Sequence, residues 1–110
     1  MEKGVDFFKF AQNIDAEITI GDVHQSPYQN GWTKNDSEFI CYFDGAETKE
    51  SENDKYLSST LGYGQTVGKA IRDYAKKIQG KLLVFNAMNK KERKEIPVPK
   101  KLFVPKSKIL

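Results

Sequence analysis

Residues 66–79, TVGKAIRDYAKKIQ, decide the fold. Val67, Ala70, Ile71, Tyr74, Ala75 and Ile78 recur at the spacing that gathers side chains on one helix face. Lys69, Arg72, Asp73, Lys76 and Lys77 fall outside that stripe. Thr66 has the hydroxyl of an N-cap, and Gly80 can take the left-handed position that closes a helix. This segment therefore predicts an amphipathic helix over 66–79 with one face committed to a core.

The chain on either side predicts strands. Residues 81–87 (KLLVFNA) read as a buried strand, 88–91 (MNKK) as a turn and 92–98 (ERKEIPV) as a returning strand. Pro97 cannot donate to a central ladder, which puts that strand at a sheet edge. Before the helix, Ile14, Ala16, Ile18 and Ile20 alternate with polar residues over 14–23, the period of a half-buried strand. Residues 38–44 (EFICYFD) give a strand apolar on both faces, and 56–61 (YLSSTL) a short third one. The acidic stretch 44–55 (DGAETKESENDK) reads as a solvated loop or hairpin tip. Phe7, Phe10 and Ala11 favour a short helix within 3–13. The expectation is an α+β domain. An antiparallel sheet of four or five strands carries the 66–79 helix on one face, with a short N-terminal helix beside it. Residues 1–98 form the single domain and 99–110, with Pro99, Pro105 and four lysines, a basic extended tail ordered only where it docks.

Composition narrows the class. The 110 residues suit one domain, and 38% hydrophobic content supplies one core. No apolar run reaches the roughly 18 residues of a membrane span, and no apolar stretch of a secretory signal follows Met1. The lone Cys41 excludes an internal disulfide framework. These features predict a cytoplasmic protein with no membrane partner.

Few motifs point to chemistry. Ile20-Gly21-Asp22-Val23-His24 resembles the Gly-Asp-x-His segment of metallophosphoesterases. Those enzymes need further histidine ligands, and His24 is the only histidine here. Gly62-Tyr63-Gly64-Gln65-Thr66-Val67-Gly68-Lys69 fails both phosphate-loop patterns: Val67 stands where the dinucleotide motif needs glycine, and Ala70 where Walker A needs Ser or Thr. Cys41 sits in an apolar strand pattern with no neighbouring base. The reading is a non-enzymatic protein without cofactor or metal.

Charge patterning suggests binding. Net charge is +3, yet residues 1–66 carry −7 and residues 67–110 carry +10. The favoured expectation is a small regulator or inhibitor docking on a protein or nucleoprotein partner. Its contacts are the aromatics Tyr28 and Trp32 and the acidic Glu47, Glu50, Glu52 and Asp54, inserted into a basic groove as small phage-encoded inhibitors do. The alternative is salt-sensitive, non-sequence-specific nucleic-acid binding by Lys76, Lys77, Lys90, Lys91, Arg93, Lys94, Lys100 and Lys101, with Phe103 stacking on bases. Sixteen lysines against two arginines disfavour base-specific reading. A homodimer pairing acidic with basic faces would also account for the asymmetry.

Overall fold

A computed structural model describes residues 4–22, 39–51, 53 and 55–106. The chain runs β1 (Val5–Asp6), α1 (Phe7–Asn13), β2 (Ile18–Asp22), β3 (Phe39–Phe43), β4 (Ala46–Lys49), β5 (Gly62–Gly64), α2 (Val67–Ile78), β6 (Leu82–Phe85), β7 (Lys94–Pro97) and β8 (Leu102–Phe103). The α+β class is as expected. The antiparallel strands, however, divide into two sheets of three, β2-β3-β5 and β4-β6-β7, and β1 pairs in parallel with β8. The division happens at Asp44-Gly45. Gly45 has φ +76°, a left-handed conformation that costs an L-residue energy and glycine almost none. The chain turns there, and β4 leaves β3 to pair with β6, with Ala46 opposite Phe85 and Lys49 opposite Leu82.

Helix α2 lies across β3 and β5 and buries Gly68, Ala70, Ile71, Tyr74, Ala75 and Ile78. Thr66 caps it by accepting the Lys69 N–H at 3.1 Å, and Gly80 follows its C-terminus at φ +77°. Two details differ from the stripe in the sequence. Val67 is exposed, while Gly68 takes a buried position in the first turn. Gly62 and Gly64, two residues apart on β5, allow the close approach of the helix. A Cβ on Gly62 would stand 2.5 Å from Tyr74 Cβ, and one on Gly64 would stand 2.5 Å from Lys69 Cβ. The glycines that suggested a phosphate loop therefore serve helix–strand packing.

The core is aromatic at its centre. Phe7 stacks on Phe43 with centroids 5.2 Å apart, and Tyr74 meets Phe43 edge-on at the same distance. All three are almost fully buried. Burial of such a ring contributes roughly 1.5–3 kcal/mol, and favourable ring geometry about 0.5–1.5 kcal/mol more. Leu83, Val98 and Leu102 complete the cluster from the second sheet and the tail. Asp6 starts α1 by accepting the Phe8 N–H at 2.8 Å.

Several boundaries move. Ile14 and Ala16 are not strand residues: Ile14 caps α1 and Asp15 turns the chain at φ +59°, so β2 begins at Ile18. Ile20 shares a sheet face with buried Cys41 but remains exposed. The strand expected at 56–61 is a single bridge from Ser58 to Thr48, and β5 follows at 62–64. The acidic stretch expected as a loop holds β4, with Thr48 and Lys49 buried. Lys49 Nζ reaches Glu95 at 2.9 Å. The tail docks through its first half: Leu102 enters the core, and Val5 N–H donates to Lys101 O at 2.9 Å. The fold therefore extends past residue 98, because Leu102 supplies apolar area to the core and β8 gives β1 its partner.

Candidate functional site

Of the four acidic residues expected as contacts, Glu47 and Glu50 lie among the described residues. Glu47 is half-buried in β4 opposite Val84, and Glu50 pairs with Lys81 at 3.2 Å. Tyr28, Trp32, Glu52 and Asp54 lie outside the described residues, as does His24. No free acidic loop is built from Glu47 and Glu50. A strand position holds the first, and an ion pair to the start of β6 engages the second.

The basic residues divide into engaged and available groups. Lys77 is engaged. Its ammonium pairs with Asp73 at 2.9 Å, donates to Leu61 O at 3.0 Å and sits 4.9 Å from the Tyr63 ring centroid. Asp73 in turn accepts the Tyr63 N–H at 2.8 Å. Burial pushes the Asp73 carboxyl up, but the hydrogen bonds from Lys77 and Tyr63 and the charges of Lys77 and Lys76 outweigh it, leaving it below the usual carboxylate value. This clasp fastens α2 to β5. Arg93 is engaged too, with two bonds to Glu95 Oε2 at 3.2 and 2.9 Å and one to Ala87 O at 3.3 Å. Hydrogen bonds from Lys49 and Arg93 hold the Glu95 carboxyl below its ordinary value.

Lys90, Lys91 and Lys94 are exposed on the β6–β7 hairpin, and Lys100 and Lys101 are exposed just before β8. An open depression of about 430 Å³ lies between Asn86 and Lys94, but its polar groups serve the turn itself. Asn89 Oδ1 accepts from the Lys91 and Glu92 N–H groups, and Asn86 donates to Glu92 O.

The more distinctive feature is a groove of about 320 Å³ between α2 and the tail, lined by Arg72, Ala75, Lys76, Gln79, Leu102 and Val104. Arg72 and Lys76 stand at i and i+4 on one stripe of α2, and Gln79, the residue that caps its C-terminus, follows at i+7. Arg72 and Lys76 are exposed and make no ion pair with a described residue. Gln79 Oε1 accepts the Leu102 N–H at 3.0 Å, which fixes β8 against the helix. Ala75, Leu102 and Val104 give the floor its apolar character. Phe103, nearly half exposed, is not among the lining residues, since strand alternation turns it away from Leu102 and Val104.

Of this groove, the sequence singled out only Lys76. Arg72 had a signal, being a cation one turn before Lys76 on the polar side of the stripe. Gln79, Leu102 and Val104 had none, because the docking of the tail brings them in.

Cys41 and Tyr74 carry the thiol and the phenol of the core. Burial pushes the Cys41 thiol up to about 12, and burial also raises the Tyr74 phenol to about 12. Among the described residues, no cluster of three His, Cys, Asp or Glu could hold a metal ion, and no helix is long and apolar enough to cross a membrane. No protein-family model, curated protein or solved structure matches the chain.

Proposed function

We propose that the protein is a small binding module that acts without catalysis and docks on a protein or nucleoprotein partner through the cationic groove between α2 and the tail. The observation that carries this reading is that Arg72 and Lys76, both exposed and outside any ion pair with a described residue, flank an apolar floor. Protein interfaces commonly combine an apolar centre with a charged rim. The reading differs from the sequence expectation in the sign of the docking surface. Glu47 sits in strand β4 and Glu50 pairs with Lys81, whereas Arg72 and Lys76 are exposed without an ion pair to a described residue, which favours the cations as the charges that meet a partner.

A second reading, salt-sensitive nucleic-acid binding, is favoured by the exposed Lys90, Lys91, Lys94, Lys100 and Lys101. The two are separated by anisotropy titrations of labelled single- and double-stranded DNA and RNA at about 50 and 200 mM salt. The docking reading expects weak binding with no preferred nucleic acid. Tight binding that falls steeply with salt and is lost in a variant carrying K90E, K91E, K100E and K101E would replace it with the nucleic-acid reading.

A further inference from the structure

The groove has two unlike halves. One wall is a row of donors along α2: the Arg72 guanidinium, the Lys76 ammonium and the Gln79 side-chain amide. The Leu102 N–H occupies Gln79 Oε1, so the amide NH₂ is the end left for another acceptor. The floor is Ala75, Leu102 and Val104, with no charged atom among them. Among the described residues, no acidic side chain forms an ion pair with Arg72 or Lys76. Asp73, the nearest acidic residue on the helix, is held by Lys77 and the Tyr63 N–H on the β5 side.

From this arrangement we infer that the groove receives an acidic peptide segment of a partner protein. One apolar side chain rests on Ala75, Leu102 and Val104 while flanking carboxylates meet Arg72 and Lys76. This specifies the ligand chemistry of the docking reading above and rests on it. Charge complementarity selects the carboxylates, since a guanidinium offers a carboxylate two parallel N–H bonds. One helical turn separates Arg72 from Lys76, so two carboxylates about 6 Å apart can be met at once. The floor selects a peptide over a nucleic-acid strand. Phosphates gain nothing from an apolar strip, and the exposed rings of Tyr56, Tyr63 and Phe103 are not among the residues that line the groove. The groove, about 320 Å³ and open to solvent, seats one side chain against its floor without enclosing it, and Val104 is the floor residue most accessible to a partner. The groove is largely preformed, because Leu102 is fixed by the core, by β1 and by Gln79.

The test is selection of a random-peptide display library on the immobilised full-length protein, run in parallel on an R72E/K76E variant and on a K90E/K91E variant. All four positions are exposed, and circular dichroism checks that both variants keep the wild-type fold. The expected result is enrichment of peptides with Asp or Glu on both sides of one Leu, Phe or Trp. Synthetic copies should lose at least tenfold in affinity on R72E/K76E and less than threefold on K90E/K91E. The inference is overturned by no enrichment, by enriched peptides lacking acidic residues, or by equal losses on both variants. If the library gives nothing while a photoreactive residue at position 69, one turn before Arg72, still cross-links to a protein in cells, the docking reading stands and the acidic-peptide ligand falls. If neither binds, both fall.

Discussion

Replacing Gly62 with alanine should loosen the seat of α2, and the structure sets the size of the effect. The added Cβ would lie 2.5 Å from Tyr74 Cβ and from Tyr74 N. Neither atom can rotate away, since one belongs to the helix backbone and the other is fixed to it. Relief requires a shift of α2 itself, which also moves Ala70 and Tyr74 off the core. Overpacking of this kind costs about 1–3 kcal/mol. Lower entropy of the unfolded chain returns about 0.4–1 kcal/mol for Gly→Ala. A net loss of about 1.3 kcal/mol follows, which lowers Tm by about 5–10 °C for a domain of this size. Two controls separate crowding from backbone strain. At Gly21 the new Cβ would meet only the flexible Ile40 side chain, at 3.0 Å, and Gly21→Ala should cost under about 1 kcal/mol. At Gly45 nothing lies within 4 Å but φ is +76°, so Gly45→Ala should cost about 1 kcal/mol from strain alone. Urea and thermal unfolding followed by far-ultraviolet circular dichroism give all three values. A Gly62→Ala protein as stable as Gly21→Ala would refute direct seating of the helix on β5.

Other consequences are as direct. Asp6→Ala removes the acceptor that starts α1 and should cost about 1 kcal/mol in urea unfolding. Cys41, buried and shifted up to about 12, should resist a thiol reagent at pH 8 in the native protein and react at once in denaturant; fast native labelling would contradict its placement. The Asp73 carboxyl is lowered in the folded state, so its contribution is full above the unfolded carboxylate value near 3.9 and is lost as pH falls through the lower folded value. Asp73→Asn should therefore flatten the stability profile below about pH 4 relative to wild type. Lys49→Met should stay within about 1 kcal/mol of wild type in urea unfolding, because methionine fills the space of the buried stem while Glu95, left behind, is exposed and still paired with Arg93.

The helix was legible because α2 obeys one period from Ala70 to Ile78 and carries its own cap, Thr66, and stop, Gly80. The β6–β7 pair was legible for similar reasons, with a continuous apolar run, a polar turn and Pro97 at an edge. The split into two sheets was not. It depends on one left-handed glycine, Gly45, in a segment whose acidic residues look like loop. Strand β5 escaped notice because two of its three residues are glycines, which disfavour strands in general and are needed here by the approach of α2. The groove was half legible. Lys76 was singled out and Arg72 lay on the same polar side of the helix, but Leu102 and Val104 come from a tail whose docking only the folded chain reveals. Lys77, equally basic in the sequence, is occupied by Asp73 and Leu61, which a count of charges could not show.

The most direct test of the docking account is photo-crosslinking from position 69, compared with position 90, in cells that produce the protein. A photoreactive residue in place of Lys69 stands one turn before Arg72 on α2 and leaves both groove cations in place, and one in place of Lys90 lies on the hairpin. The account predicts one discrete adduct from position 69 that protease destroys and nuclease leaves intact, with none of comparable yield from position 90. Nuclease-sensitive adducts from position 90, or no adduct from position 69, would contradict it.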